Sequence, residues 1–151
     1  MDQPSSVDLA KKLAHLLSDV VSLSFISQGH HWNVKGLNFY QFHQFFAEIY
    51  EDTSSAIDPL AENIRKLGFN APYLLTDFSE MTCINQERID GDAIESVNSL
   101  VSANSIVTNC YADAFELAEN CNQPGIADFL AGRHDMHQKW QWQLESTLGI
   151  R

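Results

Sequence analysis

Apolar side chains recur along this chain at alternating steps of three and four residues, the spacing that places them on one face of an α-helix. Four long segments carry the pattern. The first ends near residues 33–36, the second runs from 38 to 68, the third from 91 to 118, and the fourth from Pro124 to 148. We therefore expect an all-α, up-down four-helix bundle.

Two features interrupt these long segments. Pro59 lies inside the second one, and because proline lacks a backbone N–H we expect a kink there. The stretch TDFSEMTCI, residues 76–84, predicts a short extra helix between the second and third long ones, capped by Thr76 or Asp77. At 151 residues the chain should form a single domain, residues 1–151.

Charge narrows the choice of partners. Twenty acidic and nine basic residues give a net charge of −11, and the N-terminal MDQPSSVD contains no Lys or Arg. DNA is therefore an unfavourable partner, whereas cations are favourable ones. No apolar run approaches the roughly 20 residues of a membrane span. Three cysteines, an odd number without a CxxC pattern, indicate reduced thiols and a cytoplasmic protein.

Four side chains in the first two segments form a candidate metal site: His31, His43, Asp58 and Glu62. Imidazole nitrogens and carboxylate oxygens together suit iron, zinc or manganese. Asp58 and Glu62 are four residues apart and share one helix face. Each residue alone is more often a packed histidine or a solvated acid, so the hypothesis depends on the joint pattern.

The distance between the ligands along the helix axis determines how this site can be assembled. His43 and Asp58 are fifteen residues apart on the second segment, roughly 22 Å along a helix, too far to hold one ion. Two copies of that helix, antiparallel about a two-fold axis near residues 51–52, would bring His43 of one chain to Asp58 and Glu62 of the other. The site thus predicts at least a dimer. The Glu-x-x-His pairs of intrachain di-iron bundles do not occur in the sequence.

The stretch HHWNVKGLNFYQFH, together with IDPLAENIRKLG further on, resembles the pattern of the Dps family (DNA-binding proteins from starved cells, the mini-ferritins). The similarity extends to His137, Lys139 and Trp142 in the last helix. It implies a ferritin-like four-helix bundle with a short extra helix between the second and third helices, assembled into a dodecameric hollow shell. Such a shell oxidises Fe(II), preferentially with hydrogen peroxide rather than oxygen, and stores the ferric product.

The resemblance also implies roles for the four ligands. The family's inter-subunit ferroxidase site falls on His31 and His43 of one subunit and on Asp58 and Glu62 of its two-fold mate. Glu62 would be the strongest ligand and a bridge, completed by Asp58 and His31, while His43 would hold a second, weaker metal or a water. Trp32 would line the site, with core packing as its alternative role.

One position departs from the family pattern. Ala47 stands where a carboxylate is usual, four residues after His43, so the second metal position is in doubt. Glu48 or Glu51 could compensate, although neither occupies the family's position. The additional His30 points about 100° away from His31 and is expected to support the site from behind or to be exposed.

Other residues carry weaker expectations. His134 and His137, three apart, could bind a transition metal, or could simply be solvated or packed. In the family, iron passes through acidic pores near the start of the fourth helix, which implies Asp128 and, less directly, Glu119 and Asp113. Surface solvation is the alternative for each of these acids.

Three functional hypotheses follow. The first is a ferroxidase that stores iron and protects against oxidative stress. The second is a metal-sequestering shell, weakened at Ala47, that binds zinc or a single iron with little turnover. The third is a nucleoid DNA-binding protein, which the acidic charge and the lack of basic tails oppose.

Overall fold

The computed structural model describes residues 4–151, and all regular structure in this part of the chain is helical. The all-α expectation is therefore confirmed. Six helices follow one another along the chain: α1 (Ser6–Asn33), α2 (Phe39–Ser54), α3 (Ile57–Lys66), α4 (Leu75–Met81), α5 (Ala93–Asn120) and α6 (Pro124–Thr147).

Helix α1 is the centre of the bundle. It packs against α2, α3, α4 and α5, while α5 pairs along its length with α6. One side of α1 is fully buried and apolar from its first to its fifth turn; its residues there include Leu9, Leu13, Leu16, Val20 and Leu23. The four-helix bundle with a short extra helix, α4, is the predicted architecture. No helix between residues 4 and 151 is long and apolar enough to cross a membrane.

The second predicted segment is divided into α2 and α3, as its proline suggested. Pro59 has no N–H to donate to the carbonyl four residues earlier, that of Ser55, and the chain turns at residues 55–56. The next turn resumes at once, because the Leu60 N–H donates to the Ala56 carbonyl at 3.0 Å. His43 therefore belongs to α2, whereas Asp58 and Glu62 belong to α3.

The predicted cap of the short helix is wrong. Helix α4 begins at Leu75, so Thr76 and Asp77 lie in its first turn, and Leu74 occupies the capping position without a side-chain hydrogen bond. None of the α4 side chains is buried within the chain. The segment after α4 is instead held by Asp19, whose buried carboxylate accepts a hydrogen bond from Thr82 Oγ1 at 2.8 Å.

The connection between α3 and α5 ends at Gly91 and Asp92, and its contacts there fix the end of α1. The Lys35 N–H donates to the Gly91 carbonyl at 3.0 Å. Gly91 has φ +75, and a Cβ there would lie 2.6 Å from the Asn33 carbonyl oxygen. Only glycine allows both the left-handed backbone and this close approach. The last turn of α1, which carries His31, is thereby held against the connection.

Candidate metal centre

His31 and His43 come together where α1 ends and α2 begins. Their rings are stacked, with centroids 3.8 Å apart and planes 14° from parallel. Each Nδ1 lies 2.6 Å from the backbone carbonyl oxygen of the other histidine. The two residues thus fix one another across the turn by a reciprocal pair of short hydrogen bonds.

This arrangement determines which nitrogen can bind a metal. A carbonyl oxygen can only accept a hydrogen bond, so each Nδ1 must carry the proton. Nε2 of each ring is then the nitrogen that remains for a metal. A hydrogen bond from Nδ1 to a carbonyl is the usual way in which a metal-binding histidine is oriented. The geometry therefore suits both rings as ligands.

Aromatic side chains surround the histidine pair. Phe39 stacks on His43 with centroids 5.0 Å apart, and the Tyr50 ring lies 5.4 Å from the His31 ring. Trp32 is 64 % exposed, so its alternative role in core packing is wrong within the chain. Leu37, in the turn between α1 and α2, is 88 % exposed. The segment that joins His31 to His43 therefore exposes apolar side chains.

The two predicted carboxylate ligands are exposed on α3. Asp58 lies in the first turn of α3 and Glu62 one turn later, so both are on one side of that helix. Within residues 4–151, no three His, Cys, Asp or Glu side chains are close enough together to hold an ion. One chain therefore brings His31 to His43 and Asp58 close to Glu62, but it does not join the two pairs.

Ala47 lies one turn after His43 on α2 and is half-buried. Its methyl group offers no ligand at the position where the family pattern has a carboxylate. Glu48 and Glu51 are both exposed on the same helix. Because Glu48 is about 100° round the helix from Ala47, Glu51 is the acid closer to this face.

His30 is not exposed, contrary to one of the two expectations for it. The side chain is 7 % exposed, and Nε2 lies 3.3 Å from Ser99 Oγ of α5. Burial lowers the pKa of His30 to about 4. It is thus a neutral histidine on the side of α1 that packs against α5, next to His31 in the sequence.

A buried polar cluster that was not predicted lies between α2, α5 and α6. Both carboxylate oxygens of Asp52 accept hydrogen bonds from Arg133, each at 2.9 Å, and Oδ2 also accepts one from Trp140 Nε1 at 2.8 Å. Burial by itself would raise the pKa of Asp52, but the hydrogen bonds from Arg133 and Trp140 outweigh it, and the pKa is lowered. In the sequence, the burial of Asp52 is indicated only by its place between Ile49 and Thr53, which are both buried in the structure.

His137 continues this cluster and is fully buried. Arg133 Nη2 lies 3.1 Å from His137 Nε2, and His137 Nδ1 lies 2.7 Å from Asn104 Oδ1. A guanidinium can only donate, so Nε2 accepts and Nδ1 donates. With both nitrogens occupied, His137 has no free ligand position to offer with His134, and packing is its role.

We expect acid to destabilise the fold through the buried histidines. Burial, and next the charge of Arg133, lowers the pKa of His137 to about 3, and burial lowers that of His30 to about 4. The unfolded chain binds these protons near pH 6.5, so the free energy of unfolding should fall by about 1.4 kcal/mol per pH unit for each histidine below that pH. Guanidinium unfolding between about pH 7 and 4.5 measures this slope. His137→Gln should reduce it, whereas His15→Gln, at an exposed position, should not.

The acids proposed for iron passage separate into two groups. Glu119 and Asp128 line one groove, at the turn between α5 and α6, together with Asn122 and Gln123. Asp113 is instead paired with Lys12 across α5 and α1, at 3.4 Å. The structure therefore brings together two of the three predicted acids.

Comparison with known proteins shows which family has this architecture. The ferritin-like domain model matches residues 10–150. The DNA protection during starvation protein of Brevibacillus brevis is 30 % identical over 118 residues, covering 78 % of this chain and 79 % of that protein. The crystal structure of a Dps protein from Vibrio cholerae O1, described as a member of the ferritin-like diiron-carboxylate proteins, superposes with a TM-score of 0.91 at 29 % identity, covering 95 % of this chain and 90 % of that one. A Dps crystal structure from Bacillus brevis gives the same TM-score at 28 % identity, covering 98 % and 99 %. The chain belongs to the ferritin-like proteins and, within them, to the Dps or mini-ferritin family.

Proposed function

We propose that this protein is a mini-ferritin that oxidises Fe(II) with hydrogen peroxide at sites shared between subunits and stores the ferric product in a hollow dodecameric shell. Its family supports iron storage and oxidative-stress protection. The observation that carries the proposal is the histidine pair, in which both Nδ1 atoms are occupied by backbone carbonyls and both Nε2 atoms are left for a metal.

The carboxylates must then come from a second copy of the chain. Asp58 and Glu62 are exposed, and within residues 4–151 they form no cluster with the histidines of their own chain. The surface around the histidines is apolar and open, with Leu37 88 % and Tyr40 68 % exposed, as expected of a surface that a partner covers. Antiparallel pairing of α2–α3 about a two-fold axis makes two equivalent sites.

In this arrangement iron is the substrate, and the four residues bind it at two positions. Glu62 is the principal ligand and bridge, and Asp58 of the same chain and His31 of the other complete the tighter position. His43 serves the second position, for which Glu51 or Glu48 supplies the missing carboxylate. Two Fe(II) ions give up one electron each, the O–O bond of one peroxide breaks, and both oxygens leave as water or hydroxide.

Passage of iron into the shell is assigned to the groove at the α5–α6 turn. Glu119 and Asp128 both line it, and carboxylates attract Fe(II). A charge of −11 per subunit raises the local cation concentration further. The same charge repels phosphates, so DNA would be protected through removal of iron and peroxide rather than by binding.

Ala47 favours a second candidate function. With one carboxylate fewer, the shell could hold a single iron, or zinc, in the tighter position and turn over slowly. Both candidates use the same four ligands, and they differ in whether peroxide consumption accompanies iron uptake.

Iron oxidation followed by absorbance of the ferric product tests the proposal. Wild-type protein with Fe(II) and hydrogen peroxide, under anaerobic conditions, should oxidise iron at least about tenfold faster than His31→Ala/Glu62→Ala, because each site loses a ligand from both chains. His15→Ala/Glu116→Ala removes the same residue types at exposed positions outside the site and should match wild type. Equal rates for all three proteins would contradict ferroxidase activity and leave sequestration as the function.

A further inference from the structure

The buried cluster of Asp52, Arg133, Trp140, His137 and Asn104 joins three helices by directed bonds. Besides the fork between Asp52 and Arg133, Asn104 Nδ2 donates to the His137 carbonyl at 2.9 Å and to Gln141 Oε1 at 2.8 Å. A chain of hydrogen bonds thus runs from α2 through α6 to α5. Within it, Arg133 and Asp52 are 13 % and 22 % exposed, so the pair is largely shielded from water.

The rotation of α2 about its own axis depends on its packing and histidine contact with α1 and, on the side of α6, on the bonds of Asp52. Only Phe46, Ile49 and Thr53 of α2 are buried, and apolar contacts tolerate small rotations because they have no preferred direction. The bidentate bond between a guanidinium and a carboxylate, by contrast, is tightly directional. Asp52 is the only α2 side chain among the described hydrogen bonds and salt bridges that pairs with α6.

Asp52 also lies midway between ligands of the proposed site. It is nine residues after His43 and ten before Glu62, close to the two-fold axis expected near residues 51–52. Side-chain tips lie about 5–6 Å from a helix axis, so a 10° rotation moves them about 1 Å. Metal ligands must be held to about 0.5 Å. Because His43 is the ligand that α2 carries, such a rotation in both chains would displace His43 at both shared sites.

From this geometry we infer that Asp52 and Arg133 are positioning residues for the shared metal centre: they fix the rotation of α2 and thereby the reciprocal contact of His31 and His43. The inference rests on the proposed function for its metal readout only. Replacing a buried ion pair by apolar residues of similar size often leaves stability nearly unchanged, whereas it removes the directional bonds.

The test compares Asp52→Leu/Arg133→Met with wild type and with Lys12→Met/Asp113→Leu, which removes the ion pair between α1 and α5. Crystal structures of the metal-free assemblies should show the two reciprocal Nδ1–O bonds, 2.6 Å in wild type, broken in the Asp52/Arg133 variant and intact in the control. Co(II) affinity, measured by visible absorption, should be about tenfold weaker in the Asp52/Arg133 variant only.

Arg133→Lys keeps the charge but not the two-pronged contact, and it serves if the double variant does not fold. It should lengthen the histidine contact and weaken Co(II) binding about threefold. Unchanged histidine geometry in whichever of the two variants folds overturns the inference. Failure of wild type to bind Co(II) would instead refute the proposed function, while the crystal structures would still decide whether the cluster positions α2.

Discussion

Subunits that lack His31 and His43, mixed with subunits that lack Asp58 and Glu62, should recover iron oxidation that neither parent possesses. Each parent loses half of every site, so each should oxidise iron at the background rate. In a two-fold dimer of one chain of each kind, one site has both halves intact and the other has neither. Random pairing makes half of the dimers mixed, so about a quarter of the wild-type sites should be restored.

The measurement is the initial rate with Fe(II) and peroxide after the two alanine double variants are unfolded together and reassembled. Separately reassembled parents, mixed afterwards without exchange, are the control and should stay at background. An absence of recovery in verified mixed assemblies would show that sites are not shared between chains. Activity in either parent alone would show that the four residues are not the site.

Ala47→Asp should strengthen the second, weaker metal position of the site. The new carboxylate lies one turn after His43, at the position where the family pattern has a carboxylate and this chain has Ala47. Anaerobic titration with Co(II) should show a second equivalent per subunit, bound at least about tenfold more tightly than in wild type, which corresponds to about 1.4 kcal/mol. Peroxide-dependent oxidation should rise with it.

Ala112→Asp is the matched control, since Ala112 is also half-buried on a helix but lies in α5 beside Asp113. It should leave the stoichiometry at the wild-type value. If wild type already binds two Co(II) ions with similar affinity, a residue other than position 47 completes the second position, and Glu51→Gln then identifies it by losing one equivalent.

The residue types and spacings in the sequence were sufficient to predict the bundle, the short extra helix and the separation of the two ligand pairs. Helical periodicity depends only on side-chain order, and the rise per residue bounds every distance along one helix. The kink before Pro59 followed for the same local reason. The cap of α4 did not follow, because Leu74 precedes this helix without a side-chain hydrogen bond, and the contact of Asp19 with Thr82 holds the helix at its other end.

The contacts that orient the site residues could not be predicted from residue types and spacings. The reciprocal bonds of His31 and His43 depend on where two backbone carbonyls lie when α1 meets α2, which periodicity does not specify. Asp52 looked like one more acid in an acidic chain until Arg133, more than eighty residues later, was brought against it. Of the two expectations for His30, exposure was wrong because α1 is covered on several sides, so that a residue turned away from His31 still meets α5.

The cluster around Arg133 has a consequence for when the chemistry can begin. A guanidinium and a neutral histidine lie between α2, α5 and α6, and within residues 4–151 no three potential ligands of one chain come together. Under the proposed arrangement, each pair of ligands, His31 with His43 or Asp58 with Glu62, completes a metal site only when a second chain binds. In that arrangement a newly synthesised subunit does not oxidise iron. Oxidation starts only when subunits have assembled into the shell that stores the ferric product.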